Sequence, residues 1–342
     1  GNARNAVRVL KKYLANHYSE EATAELASAY FNLGTVDQGV DTYQKLIENN
    51  PIATGYYSRL ASLYYNLGNY KKAESYVQEC IAIAPYIDSY HQTLANTYSE
   101  LGLQEAAETS YRKAIFYNPY NYDARRQLRI LNEQPDIFSS FTEPDVYQIY
   151  ADAPEGTDSP NDHSLLLADE THKVLYADGG SEEKHILVVK VFNTNGVDTW
   201  KDYQIPVYNN QDGSIDKAEV LKKNGARIAA ETNGGYIVFS NLEEGDAIHI
   251  TYRLQNYFSG KLANHFWGSH FFELFLPVAH TSLSLLVEEG TNFSYKVENG
   301  ELEPQIEQFD KYERDTWEAN TVPDTEQQAL IPNLTTIAQT LQ

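Results

Sequence analysis

Thr54–Pro85 reads TGYYSRLASLYYNLGNYKKAESYVQECIAIAP, and the reading of the whole chain turns on it. Tyr57, Leu60, Ala61 and Tyr64 follow the i, i+3, i+4, i+7 rule of one apolar helix face. Gly68 then supplies a residue that tolerates positive φ, which predicts a helix end. Ala73, Val77 and Cys80 are spaced for the inner face of a second helix. Pro85 stops that helix, because proline cannot continue the hydrogen-bond ladder. The same punctuation recurs every 34 residues, at Pro51, Pro85 and Pro119, at Gly34, Gly68 and Gly102, and at Tyr30, Tyr64 and Tyr98. Leu26, Leu60 and Leu94 keep the step as well. A hairpin of this size cannot bury its own apolar face, so neighbouring copies must stack.

The period and the Leu…Tyr…Gly…Ala…Pro order resemble the tetratricopeptide repeat. Three fuller repeats are expected at about 20–53, 54–87 and 88–121. A partial repeat at Asn2–Tyr18 precedes them, and a polar capping helix at Tyr122–Asn132 follows. The first repeat departs from the others, with Gly39 where they have Ala73 and Ala107. The resemblance implies peptide binding along the face made by first helices. In this register that face holds Ser28, Phe31, Asn32, Ser58, Ser62, Tyr65, Asn66, Gln92, Asn96 and Ser99. It reads as neutral and polar, with no Lys or Arg placed to clamp a peptide carboxylate. Phe31, Asn32, Ser62, Tyr65, Asn66 and Asn96 are the candidate contacts to a protein or peptide partner. The bland alternative is that the repeats only space and orient the next domain.

Charge marks a boundary. Residues 1–135 carry 13 Lys/Arg and 14 Asp/Glu, whereas residues 136–342 carry 13 and 34. A break this sharp predicts separate domains at 1–135 and 136–322, with a tail at 323–342. The second half has no basic stripe, which argues against nucleic acid as a partner. No apolar run approaches the roughly 20 residues of a membrane span. The chain has no Met and starts at Gly1 inside a helical pattern, so a processed or trimmed piece with Gly1 as a tag remnant is expected. A modified methionine would explain the absence equally well.

From about Pro144 the periodicity changes to 2. Strands are expected at Lys184–Asn193, Tyr203–Tyr208, Ile215–Leu221, Gly235–Ser240, Ala247–Gln255, Phe271–Pro277, Thr281–Glu288, Phe293–Val297 and Tyr312–Trp317. Asn195-Gly196 reads as a hairpin turn. Ile248, Ile250, Tyr252 and Leu254 should face away from His249, Thr251 and Arg253. Short strands with Gly-rich turns predict an antiparallel β-sandwich, giving a multi-domain α plus β chain. A helix is expected near Asn333–Leu341.

The order VKVFNTNG (Val189–Gly196), YQIPV (Tyr203–Val207), AEVLKKNGAR (Ala218–Arg227), VFSNLEEGDAIHITYRL (Val238–Leu254) and ELFLPV (Glu273–Val278) resembles domain of unknown function 3857. The resemblance spans about 145–320. It implies an exported, periplasmic or envelope-associated bacterial protein of Bacteroidetes type. It also implies a transglutaminase-like core after the chain ends. The family carries no established catalytic residues.

Catalytic signatures are sparse. Cys80 is the sole cysteine, and it stands at the repeat position of Ala114, which favours a small core residue over a nucleophile. There is no Gly-x-Ser-x-Gly elbow and no phosphate-cradling glycine loop. His265 and His270 flank Phe266 and Trp267. That loop reads either as a metal or ligand pocket or as an aromatic plug, the plug being the commoner outcome. The acid-rich stretch 152–162 lacks the calcium-loop order. No cofactor is expected. The expected role is a non-catalytic scaffold that positions a downstream domain and engages a protein partner. The alternative is a glycan- or peptide-binding module that uses Tyr257, Phe258, Phe266 and Trp267. A hydrolase site shared between the halves is a third reading.

Overall fold

In a computed structural model the chain divides into two compact units, residues 1–134 and 135–342. The structure describes residues 2–258, 268–274, 276–322 and 340–341. The expected helix at 333–341 therefore lies largely outside the described residues.

The first unit is helical. Its elements are α1 (Asn2–Leu14), α2 (Glu20–Asn32), α3 (Val36–Asn49), α4 (Thr54–Asn66), α5 (Tyr70–Ile83), α6 (Asp88–Glu100), α7 (Gln104–Tyr117) and α8 (Tyr122–Leu131). The first helices of the three repeats end alike. Gly34, Gly68 and Gly102 take φ of 77°, 71° and 70°. Their amides, and those of Thr35, Asn69 and Leu103, close back onto the last turn. The second set bonds the carbonyls of Tyr30, Tyr64 and Tyr98 at 2.8–3.0 Å. This is the paired closure of a left-handed cap, and it explains why tyrosine and glycine keep a fixed spacing.

The proline that ends each repeat leaves a carbonyl needing a donor. Tyr57 Oη donates to Pro51 O at 3.1 Å, His91 Nε2 to Pro85 O at 2.7 Å, and Arg125 Nη2 to Pro119 O at 2.8 Å. Three residue types at one repeat position do the same work. Small residues set the helix spacing: Ala27, Ala61, Ala73, Ala95, Ala107 and Ala114 are fully buried. Gly39 departs from this set for a local reason. A Cβ there would overlap the Phe31 ring, which stacks on Tyr43 at 5.8 Å. The later repeats carry Tyr65 and Ser99 at the Phe31 position, and there alanine fits.

In the second unit a short 3-10 turn (Ile137–Ser140) and α9 (Val146–Ala151) precede β1 (Ser164–Leu175) and β2 (Ser181–Val191). Helix α10 (Thr194–Trp200) leads to β3 (Asp202–Gln204), β4 (Gln211–Leu221), β5 (Arg227–Ala229), β6 (Glu231–Asn233), β7 (Tyr236–Val238) and β8 (Ala247–Asn256). Then follow β9 (His270–Phe271), β10 (Val278–Glu288), β11 (Val297–Glu298), β12 (Gln305–Phe309), β13 (Tyr312–Val322) and β14 (Thr340–Leu341). One eight-stranded sheet runs β12-β13-β10-β1-β2-β8-β4-β5, accompanied by the three-stranded sheets β3-β7-β6 and β11-β14-β9. Pairing is antiparallel except between β1 and β10, which run parallel.

The alternation read in β8 holds. Ile248, Ile250, Tyr252 and Leu254 join one core with Ile205, Ile237 and Phe239. The opposite face is also covered, for His249 and Thr251 are buried. Val146 of α9 packs there with Leu165, Leu167, Ile186 and Val188. Four expectations need correction. Asn195-Gly196 is no hairpin turn: Asn193 caps α10 by accepting from the Gly196 amide at 3.2 Å. Of Phe271–Pro277, only Phe271 lies in a strand, β9, among the described residues. β1 and β12 went unread, because the charges in SLLLADETHKVL and the exposed face of β12 hide the strand pattern. The helical α9 precedes the strands where alternation was expected from Pro144.

Two outcomes test this packing. Gly39→Ala should destabilise by about 1–2 kcal/mol, since overpacking outweighs the gain in helix propensity. In a Phe31→Ala background the sign should reverse, giving about 1 kcal/mol of stabilisation in a double-mutant cycle by urea denaturation. Asp315 is buried on β13, and its Oδ1 has no hydrogen-bond partner among the described residues. Burial, aided by Glu313, pushes its carboxyl up to about 6. The folded state thus keeps a proton that the unfolded chain releases from about pH 4. This group's contribution to stability therefore falls as pH rises from about 4 through 6. Asp315→Asn should stabilise the fold by on the order of 1 kcal/mol at pH 7.5 and have little effect at pH 4.

Candidate functional site

The repeat array presents a groove. A cavity of about 720 Å³ opens between α1, α2 and α4. Glu21, Glu25, Ser28 and Asn32 line it from α2, at the i, i+4, i+7, i+11 positions of one helix stripe. Gly55 and Arg59 face it from α4, at the repeat positions of Glu21 and Glu25. Tyr56 stands beside them, and its hydroxyl donates to Glu20 Oε2 at 3.0 Å. Among the described residues two carboxylates and one guanidinium therefore line the cavity, which corrects the expectation of a neutral face.

The candidate contacts divide into those that reach the groove and those that do not. Asn32 lines the cavity, and Ser62 and Asn66 are exposed on the same stripe of α4. Asn96 is taken up internally, its Oδ1 accepting from Tyr111 Oη at 2.6 Å. Ser28 Oγ lies 3.2 Å from Tyr43 Oη in the equivalent place of the first repeat. Val77 replaces that tyrosine in the second repeat, so Ser62 has no such partner. Phe31 and Tyr65 do not line the groove. Phe31 packs in the repeat core, and Tyr65 meets Tyr70 edge-on at 5.4 Å. They sit one residue before the groove-facing asparagines, and about 100° of helix rotation separates the two positions. Glu21, Glu25 and Arg59 lie on the same stripe as Ser28, Asn32 and Ser62, but nearer the start of each first helix, and the expected face does not include them.

In the second unit Tyr257 lies at the end of β8, where its amide donates to Asn210 O at 2.7 Å and its hydroxyl to Gln255 Oε1 at 3.2 Å. Phe258 follows it, half-buried. Phe266, Trp267 and His265 lie outside the described residues. His270 contacts Thr281 Oγ1 at 3.2 Å and meets Phe272 edge-on, and desolvation holds its pKa down near 3. No group of three metal-ligating side chains comes together among the described residues. Cys80 is buried, with Sγ 3.5 Å from Thr54 O. Burial, assisted by Glu79, pushes its thiol up to about 11. A thiol in that state is a packing group, as read from the repeat. Among the described residues no helix is long and apolar enough to cross a membrane.

Family models match both halves. Residues 54–86 and 88–121 match one model described as a tetratricopeptide repeat, and residues 25–51 match another. The helical half is a tetratricopeptide array. Residues 231–326 match the model described as a domain of unknown function, DUF3857. That match is narrower than the 145–320 expected. No curated protein matches the chain. Among solved structures, a "putative protease from Parabacteroides distasonis" aligns at 16% identity and a TM-score of 0.45. The alignment covers 52% of this chain and 40% of that one, so this chain spans well under half of its length. MamA of Desulfovibrio magneticus RS-1 aligns at 21% identity and a TM-score of 0.35, over 39% of this chain and 76% of its own. The first tetratricopeptide domain of Spaghetti (RPAP3), solved with an HSP90 peptide, aligns at 23% and 0.31, over 33% and 90%. These are likenesses of fold and carry nothing about activity.

The buried thiol has a direct readout. Cys80 should resist iodoacetamide at pH 8 in the native protein and react fully once urea unfolds the array. Rapid native labelling would show that the helical core is open.

Proposed function

We propose that this chain is a non-catalytic interaction scaffold whose repeat groove holds a peptide segment of a partner protein. Tetratricopeptide repeats and a DUF3857 segment together suggest protein-interaction scaffolding. The observation that carries the finer reading is the groove stripe, where Glu21 and Glu25 stand at the cavity with Arg59 as the one cationic side chain lining it among the described residues. A surface of that sign favours a segment bearing lysine or arginine over one presenting a free carboxylate. Side chains spaced by the repeat step can engage an extended peptide at successive points.

The DUF3857 resemblance supports the rest of the proposal. In that reading the chain is part of an exported bacterial protein. The strand-rich unit positions a downstream domain, of transglutaminase-like type, at the cell envelope. The same family tie motivates the localisation, which a signal peptide in the parent reading frame would test.

Display of random seven-residue peptides against the full chain tests the groove. Peptides rich in Lys or Arg should be enriched, and Glu21→Gln/Glu25→Gln should weaken the best of them roughly tenfold. Enrichment of acidic or carboxylate-terminated peptides, or none above a bare-matrix control, would sink the reading.

A further inference from the structure

The second unit contains a larger cavity that no expected function uses. It encloses about 960 Å³ on the face of the main sheet that carries Leu283 and Leu285. That volume is near the top of the roughly 300–1,000 Å³ range of small-molecule sites. One wall is apolar, formed by Leu175, Leu283, Leu285, Phe293 and Tyr295. The floor is polar, formed by Thr171, Lys173, Glu183, His185 and His270.

The floor is fixed by its own bonds. Glu183 accepts from Lys173 Nζ at 2.6 Å, from His185 Nε2 at 3.1 Å and from Asn256 Nδ2 at 3.0 Å. Burial opposes its charge, but Lys173 and His185 outweigh burial and hold the carboxyl well below the usual range. The His185 ring stacks on Tyr252 at 4.6 Å, and its Nδ1 lies 3.1 Å from Thr171 Oγ1. A carboxylate only accepts, so Nε2 carries the hydrogen; in the neutral ring Nδ1 then accepts from the Thr171 hydroxyl. The lone pairs of that hydroxyl are left for a ligand.

These features define a ligand class. Lys173 and Glu183 are the only charged residues lining the cavity among those described, and they neutralise each other. His270 is uncharged at neutral pH. An ionic ligand would therefore meet no unspent countercharge. A purely apolar ligand would leave the remaining lone pairs of the Thr171 hydroxyl without a donor, which favours a ligand that can donate there. β1, β2 and β10 are hydrogen-bonded on both edges, so a peptide has no open strand to extend at the floor. Recognition must come from side chains: hydroxyls and imidazoles below, aliphatic and aromatic surfaces at the side. We propose that this cavity binds an uncharged saccharide of one or two rings, its hydroxyls on Thr171 and His270 and its C–H faces on Phe293 and Tyr295. This site is independent of the repeat groove and holds a different class of partner.

Calorimetric titration of the full chain with chitobiose, cellobiose and maltose tests it, with glucuronate and an N-acetylated Ala-Gly tetrapeptide amide as contrasts. At least one neutral sugar should bind, with the charged and peptide probes about tenfold weaker or silent. Thr171→Val removes the hydroxyl at nearly constant volume and should weaken binding about tenfold. Ser294 lines the cavity and is exposed, so Ser294→Trp should block it without touching the sheet. If Thr171→Val fails to fold, Ser294→Trp alone decides. Silence from every neutral sugar, preference for the tetrapeptide, parity with glucuronate, or binding indifferent to Ser294→Trp would each overturn the assignment.

Discussion

Leu60 and Ala61 are neighbours on α4, both fully buried, and they look in opposite directions along the array. Leu60 packs with Tyr43 and Leu46 of the preceding repeat, whereas Ala61 packs with Val77 of its own repeat and Leu94 of the next. One helix is thus shared between two cores. No hairpin here completes its burial without a neighbour, and every other feature of the array follows from that constraint. Small residues must sit where helices cross. Each hairpin must turn at the same angle, which the left-handed glycine cap between its two helices sets. The variation lies where stacking leaves room for it, as in the exchange of Tyr57, His91 and Arg125 at one carbonyl-capping position.

The strand-rich unit meets a different constraint. β1 is central to an eight-stranded sheet, yet it carries Asp169, Glu170, His172 and Lys173 in succession. Such a strand is tolerable only if each charge finds a partner, because a lone buried charge costs far more than a paired one. Lys173 pairs with Glu183 on β2, and the Phe141 ring stacks on His172 at 4.6 Å. A second relay, Glu219–His249–Thr251, lies on the opposite face with bonds of 3.0 Å. The recurrence of one carboxylate–imidazole–hydroxyl arrangement on both faces marks these chains as devices for burying polar strands. The relay beneath the 960 Å³ cavity faces the larger space, whereas His249 and Thr251 line a cavity of about 330 Å³ with Val146, Tyr147 and Ile186.

The candidate groove was partly legible. Asn32, Ser62 and Asn66 were found by counting along the repeat, because identical positions in identical hairpins face the same way. Phe31 and Tyr65 were misplaced because an aromatic one step from the stripe can either project or fold inward. Here ring packing against Tyr43 and Tyr70 draws both away from the groove. Glu21, Glu25 and Arg59 carried the only usable signal, being charges on the i, i+4 stripe of first helices. The cavity in the second unit had no linear signal at all. Its floor comes from β1, β2 and the approach to β9, nearly 100 residues apart at their extremes, and register alone brings them together.

By itself the chain's sequence settled the array, since a period of 34 with fixed glycine and proline encodes contacts between near neighbours. It also settled the existence of a strand-rich, acidic second half, and which side of β8 faces the core. Tertiary structure alone decided the parallel β1/β10 pair, the burial of the charged strand β1 and the place of the polar relays. The physical reason is range. Helical hairpins are specified by residues a turn or a repeat apart, whereas a sheet's order depends on hydrogen bonds between segments whose local patterns do not name their partners.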